Sequence, residues 1–182
     1  MPKRTFIAIN LPEKLKKKLG EIILKLKKIN PDYAIKWVEP ENLHLTLHFF
    51  GDLNKKQIAQ VEEGIEEVAK HIASFKMTTG NFGCFPNEKN PRVIFIETKD
   101  TKVVHTLVGE LEVMLPNLGY KIDTRPWQAH ITLGRIKNQV QCKTNDVTLP
   151  PTDFDVKSVE LMESQLTPKG SVYSVIKSFP LK

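Results

Sequence analysis

The chain has 182 residues, 40% of them hydrophobic, and 27 lysines and arginines against 21 acidic residues give a formal net charge of +6 and a pI near 9.2. No apolar run approaches the roughly 20 residues that span a bilayer, and two cysteines without CxxC spacing, Cys84 and Cys142, suggest neither a disulfide framework nor a zinc site. The expectation is an ordinary soluble chain, cytoplasmic with both thiols reduced, whose charge favours a polyanionic partner.

In chain order, residues 5–10 read as a buried first strand, with Asn10 and Glu13 placed to form a capping box and Pro12 in the first helical turn. Leu11, Leu15, Leu19, Ile22, Ile23, Leu26 and Ile29 then recur at the spacing of an amphipathic helix, and seven lysines between Lys14 and Lys28 read as its solvated face. Residues 35–38 form a short strand, Pro40-Glu41-Asn42 a turn, and a further strand begins at Leu43 and ends at Gly51-Asp52. Asn54 with Gln57 caps a second helix with Ile58, Val61, Ile65, Val68 and Ile72 as its stripe; His71 lies beside that stripe, at the surface. Residues 75–85 are strand-like but interrupted by Gly80 and Gly83, residues 86–91 form a loop, and 92–97 the next strand. Val104 to Leu115 carry a third helical stripe, closed by Pro116 and Gly119, with His105 off the stripe. Arg125-Pro126-Trp127 leads into another strand at His130, residues 137–152 are a loop, and 154–165 and 171–179 are two strands joined by a turn at 167–170.

One pattern occurs twice in this chain: His44-Leu45-Thr46-Leu47 and His130-Ile131-Thr132-Leu133. Side chains alternate along a strand, so His44, Thr46 and His48 are expected on one face with Leu45, Leu47 and Phe49 on the other, and His130 and Thr132 share a face in the same way. Phe6 precedes His44 by 38 residues and Val93 precedes His130 by 37, so strand, helix and motif strand form a weak repeat. The content fits an α+β fold better than a parallel sheet. Two converging histidines suit phosphoester transfer, one imidazole accepting a proton and one imidazolium donating one, with threonine hydroxyls bonding the non-bridging oxygens.

The two motifs resemble those of the two-histidine phosphoesterases, and within them the RNA 2′,3′-cyclic phosphodiesterases, also called 2′-5′ RNA ligases. Weaker likenesses run along nearly the whole chain: the Phe6-Ile7-Ala8-Ile9 strand, Trp37-Val38, the segment from Phe85-Pro86 to Arg92-Val93, and Ser164, Leu166, Gly170 and Tyr173 near the C-terminus. The resemblance implies one domain over residues 1–182, an α+β fold of two lobes related by a pseudo-twofold, with antiparallel sheet, outer helices and a central cleft. It implies metal- and cofactor-independent opening of an RNA 2′,3′-cyclic phosphate to a 2′-phosphomonoester, reversible to 2′-5′ joining, with no obligatory protein partner. Carried over, His44 is the proton donor to the 3′ oxygen, His130 the proton acceptor from water, and Thr46 and Thr132 hold the phosphate. Where many relatives have lysine or arginine this chain has His48, which reads equally as a phosphate contact, a third titrating group or a surface substitute. Arg135 has the wrong parity for the cleft unless its strand bends. Arg92, Tyr173, Trp37, Phe50 and Trp127 are candidate phosphate or base contacts.

Three other readings compete. The same histidines could serve another cyclic phosphate or RNA end, or the chain could be a non-catalytic RNA-binding module. A metal site is disfavoured, because His44 and His48 are about 13 Å apart along a strand at roughly 3.3 Å per residue.

Overall fold

The structure is a computed structural model that describes residues 1–31, 35–99, 101–122, 126–137, 143–144, 147–168 and 170–182. Cys142, Arg125 and Lys169 of the expected 167–170 turn lie outside the described residues. Every position from Phe6 to Ile9 is buried, as a strand covered on both faces requires, and this is β1 (Lys3–Asn10). There follow α1 (Glu13–Ile29), β2 (Ile35–Trp37), a single 3-10 turn at Pro40–Asn42, β3 (His44–Leu53) and α2 (Lys55–His71). After these come β4 (Phe75–Phe85), β5 (Val93–Lys99), α3 (Lys102–Asn117), β6 (His130–Ile136), β7 (Asp153–Val156), β8 (Ser158–Thr167) and β9 (Gly170–Pro180).

The strands make one curled antiparallel sheet in the order β7-β4-β5-β6-β3-β1-β8-β9, with β2 also paired to β6. Read outward from the middle, β6 and β5 mirror β3 and β1, the strand pairs of the sequence repeat, and β4 and β8 flank them in equivalent places. Each half of the sheet thus offers its motif strand to the centre. Leucines, isoleucines and valines from all three helices join Ile7, Ile9, Leu45, Ile131 and Leu133 in one continuous core, while Phe6, Ala8 and Met162 cluster separately with Tyr173. The helices therefore cover one face of the sheet, and the other face is left for the cleft. Burying one such Leu or Ile contributes about 2 kcal/mol, so the core face fixes which side chains remain for chemistry.

Several local readings hold and several do not. Asn54 and Gln57 form the reciprocal capping box; Thr101, which the sequence reading did not single out, caps α3 by accepting from the Val104 N–H. Asn10 caps nothing: α1 starts after Pro12, and the Asn10 N–H instead donates to Glu160 Oε2 at 3.0 Å. Lys16 is not part of a solvated face either, being only 6% exposed with its Nζ donating to the Glu41 carbonyl at 3.0 Å. Residues 154–165 are not one strand. The chain breaks at Lys157, so β7 pairs with β4 at one edge of the sheet and β8 pairs with β1 in the other half. β4 runs through both glycines; at Gly83 the Phe95 ring packs so close that a Cβ would lie 2.5 Å from it. Among the described residues no helix is long and apolar enough to cross a membrane.

Candidate active site

The two motif strands lie side by side in the middle of the sheet. Among the described residues Leu45 opposite Ile131 is the one bridge between β3 and β6, and each is the middle residue of a His-x-Thr. Partner numbers in that antiparallel register sum to 176, so one residue to either side His44 lies across from Thr132 and Thr46 across from His130. The pseudo-twofold axis passes through the Leu45–Ile131 pair. With both of these residues fully buried, the two histidines and two threonines project together to the cleft side. The histidines occupy one diagonal of this quartet, a spacing of about 7–8 Å in a sheet, and the threonines the other.

Both imidazoles are held in the same way. His44 Nδ1 donates to the Asn42 carbonyl at 2.7 Å, and His130 Nδ1 donates to the Gln128 carbonyl at 2.8 Å, in each case the carbonyl two residues upstream. A carbonyl can only accept, so Nδ1 carries a proton in both rings and Nε2 is the nitrogen left for proton transfer. His44 Nε2 lies 3.0 Å from Thr46 Oγ1, whose hydroxyl donates to it while the ring is neutral. The His44 ring is packed between Phe6, at 4.9 Å between centroids, and the edge of Tyr173, at 5.1 Å. His130 meets Phe85 at 5.0 Å and Phe95 at 5.4 Å, and those two rings stack on each other. The Asn42 side chain fastens the first support to the opposite hairpin, donating to the Ser171 carbonyl at 3.1 Å and accepting from the Tyr173 N–H at 3.3 Å.

Burial lowers the His44 imidazole to about 4; its bond to the Asn42 carbonyl works against this, and Lys16, Arg135 and His130 lower it further. His130 is lowered too, first by burial and then by Arg135, with its bond to the Gln128 carbonyl opposing. Both rings favour the neutral form in the free protein, and Arg135 acts on both.

Two irregularities in the strands redistribute the side chains beyond the motifs. Ile7 pairs with His48 and Ala8 with Thr46, so Leu47 has no partner of its own; a second irregularity at Phe50 is followed by Gly51 at φ +80°. The simple alternation therefore fails after Thr46. His48 falls opposite the core-facing Ile7 and its ring contacts Phe50, which packs on Tyr120, whereas Phe49 falls opposite Phe6 on the cleft side. In β6 the register slips between Ile94–Gly134 and Phe95–Thr132, leaving Leu133 unpaired. This strand does bend as Arg135 required, and Arg135 lines the cleft despite its odd parity.

Two cavities meet at the quartet, and Thr46, Phe49, Thr132 and Arg135 line both. The smaller, about 360 Å³, lies beside His44 and Tyr173; the larger, about 810 Å³, runs past His130, Phe85 and Arg92 toward α3. His48 lines the larger one. Arg92 Nη1 donates to the Lys137 carbonyl at 3.3 Å. Trp127 Nε1 donates to the Thr46 carbonyl at 3.3 Å and so spans the gap where β3 and β6 diverge, while Trp37 and Phe50 pack against the core. His71 pairs with Glu67 and His105 lies near Trp127, both exposed and neither lining these cavities. Among the described residues no group of three or more His, Cys, Asp or Glu could hold a metal ion. Sequence reading missed Asn42, Gln128 and Phe49. The first two act through groups that no residue-type pattern marks, and the third is hidden by the irregular strand.

Residues 9–95, which include the first motif, match the family model described as LigT like Phosphoesterase. The chain is 34% identical over 176 residues to an RNA 2′,3′-cyclic phosphodiesterase of Thermotoga maritima, covering 95% of this chain and 92% of that one. It is 31% identical over 181 residues to the protein of the same name from Archaeoglobus fulgidus, covering 97% and 99%. Among solved structures, a Thermus thermophilus protein superposes with a TM-score of 0.82 at 30% identity over 98% of this chain and 97% of that one. Escherichia coli LigT complexed with 3′-AMP shares the fold, with a TM-score of 0.78 at 24% identity, over 100% of this chain and 99% of that one. Identity of this extent, over a span that includes both motif strands and their supports, means that the chain belongs to the LigT-like phosphoesterase family.

Proposed function

We propose that the chain acts as a single two-lobed unit over residues 1–182 that hydrolyses RNA 2′,3′-cyclic phosphate ends to 2′-phosphomonoesters without a metal. The observation that carries this reading is the quartet centred on Leu45 and Ile131, which sets two imidazoles at opposite corners and two hydroxyls at the others. In-line displacement at phosphorus needs proton transfer on opposite sides of the reacting atom, and the histidine diagonal supplies it. His130 Nε2 takes the proton of the attacking water as the new P–O bond forms. His44 Nε2 delivers a proton to the 3′ oxygen as the P–O3′ bond breaks. Thr46 and Thr132 donate to the non-bridging oxygens, and Arg135 supplies positive charge between the two rings.

His44 is neutral in the free protein at pH 7, so the proton it delivers is acquired as the phosphate anion enters and offsets Arg135 and Lys16. With a 5′-hydroxyl RNA in place of water, the same displacement forms P–O5′ as P–O3′ breaks and joins the ends through a 2′-5′ linkage. RNA is the partner and the cytoplasm the compartment in this reading, with His48, Arg92 and Tyr173 as further substrate contacts lining the two cavities.

The test is turnover of a short RNA ending in a 2′,3′-cyclic phosphate, in EDTA, by the unaltered protein, His44→Ala and His130→Ala. Each variant is expected to lose about 10²- to 10⁴-fold in kcat while chelation changes nothing. Near-normal turnover in both variants refutes the acid-base assignment. A 3′-sulfur leaving group, which departs without a proton, is expected to restore His44→Ala and not His130→Ala; the opposite pattern exchanges the two roles.

A further inference from the structure

An edge strand presents N–H and C=O groups that lack a strand partner. β9 is such an edge, yet two of its groups are taken by one side chain: the Ser171 carbonyl accepts from Asn42 Nδ2 at 3.1 Å, and the Tyr173 N–H donates to Asn42 Oδ1 at 3.3 Å. A carboxamide has the donor and acceptor of a peptide group, and here it bonds the carbonyl and the N–H on either side of Val172 as a neighbouring strand would. The free edge of the curled run β3-β1-β8-β9 is thereby joined to the turn that precedes β3. That turn is also fixed from behind. Lys16 Nζ donates to the Glu41 carbonyl at 3.0 Å, and Pro40 packs so closely on α1 that a Cβ at Gly20 would lie 2.9 Å from it.

The backbone carbonyl of this same residue accepts from His44 Nδ1 at 2.7 Å, and Tyr173, whose N–H the carboxamide holds, sets its ring edge against the imidazole at 5.1 Å between centroids. Asn42 thus governs both the polar and the aromatic support of one ring. A neutral imidazole carries its proton on either nitrogen, and a fixed acceptor beside Nδ1 selects which. We infer that Asn42 is the positioning residue of the proton donor: its side chain, locked to the edge of β9, holds in place the carbonyl that keeps a proton on His44 Nδ1 and aims Nε2 at the leaving oxygen. The function of Nε2 rests on the acid-base reading given above; the lock itself does not. Gln128, the pseudo-twofold mate, supplies the equivalent carbonyl to His130 from an exposed position, so among the described residues the lock is a device of the donor half.

Long-range proton–nitrogen correlation spectra of the full chain with isotope-labelled histidine, at pH 7.5 in buffer free of phosphate, report where each imidazole carries its proton and do not depend on turnover. The unaltered protein is expected to show His44 and His130 as Nδ1–H tautomers. Asn42→Ala is expected to move the His44 nitrogens toward the average of the two tautomers and leave those of His130 in place, which also establishes that the variant is folded. Asn42→Ser, whose hydroxyl is too short to bond both β9 groups, carries the same expectation and serves should Asn42→Ala unfold. In turnover, Asn42→Ala is expected to lose about 10- to 100-fold in kcat with little change in KM, and a 3′-sulfur leaving group, which needs no proton from His44, is expected to recover most of that loss. A His44 ring that stays a pure Nδ1–H tautomer in the variants or moves together with His130, no loss of kcat, or an equal loss on the oxygen and sulfur substrates each overturns the positioning role. If the tautomer shifts as expected but the unaltered protein leaves 2′,3′-cyclic phosphate ends intact, the hydrolytic reading fails and the positioning of His44 by Asn42 stands.

Discussion

Replacing His44 by glutamine removes a titrating group that the fold holds in an unfavourable state at low pH. The imidazole sits at about 4 in the folded protein against an ordinary value of 6.5, chiefly because burial disfavours its charged form. As pH falls below 6.5 the unfolded chain therefore takes up this proton first, and folding stability is lost progressively until pH passes 4. Above 6.5 the group costs nothing; at pH 4.5 the two values correspond to a loss of about 2–3 kcal/mol. Urea denaturation of the unaltered protein and of His44→Gln at pH 7.5 and pH 4.5, in buffer free of phosphate, measures this directly, since other titrating groups contribute alike to both proteins. The stability of the variant relative to the unaltered protein is expected to rise by about 2–3 kcal/mol on going to the lower pH. A relative stability that stays constant within about 0.5 kcal/mol over that interval would mean that burial does not perturb this ring, and the account of how phosphate entry charges it would fall.

Three further outcomes are expected. Gly83→Ala places a Cβ 2.5 Å from Phe95, whose ring supports both Phe85 and His130, so it should cost about 1–3 kcal/mol in denaturant titration and lower turnover as well. Unchanged turnover in that variant would separate the aromatic stack from the histidine. Thr132→Val keeps the shape of the quartet and removes one hydroxyl, and should reduce kcat about 10- to 100-fold with little change in melting temperature. Thr98 Oγ1 is buried with no hydrogen-bond partner among the described residues, so Thr98→Val should stabilise the fold by about 1 kcal/mol; a loss of stability would reveal an interaction at that hydroxyl.

How much of this was legible in the sequence depends on period and parity. The three helices follow from stripes at three- and four-residue spacing, because one face of each must reach the core, and the Asn54–Gln57 box marks a helix start through chemistry local to four residues. The motif quartet was legible because each His-x-Thr is short enough for strict alternation to hold from His44 to Thr46 and from His130 to Thr132. Past those positions the strands carry extra residues, at Leu47 and Phe50 in β3 and at Leu133 in β6, and a rule of period two assigns His48, Phe49 and Arg135 to the wrong faces. Asn10 and Lys16 were misread for a different reason. Both have partners distant in sequence, Glu160 and the Glu41 carbonyl, and a capping pattern or a charge run contains no record of them. The separation of β7 from β8 at Lys157 is marked in the sequence only by a change of phase, the apolar residues falling at Phe154 and Val156 before it and at Val159 and Leu161 after it.

The lone rung joining β3 to β6 has a mechanical consequence. Among the described residues every other seam along the main order of the sheet is stitched by several backbone pairs, but this one is held by Leu45 against Ile131, with β2 and Trp127 bracing it from beyond. The weakest suture in the sheet thus runs beneath the groups proposed to grip the phosphate. An anion taking hydrogen bonds from both edges would serve as a second stitch, drawing the halves together and slowing amide exchange along the whole seam.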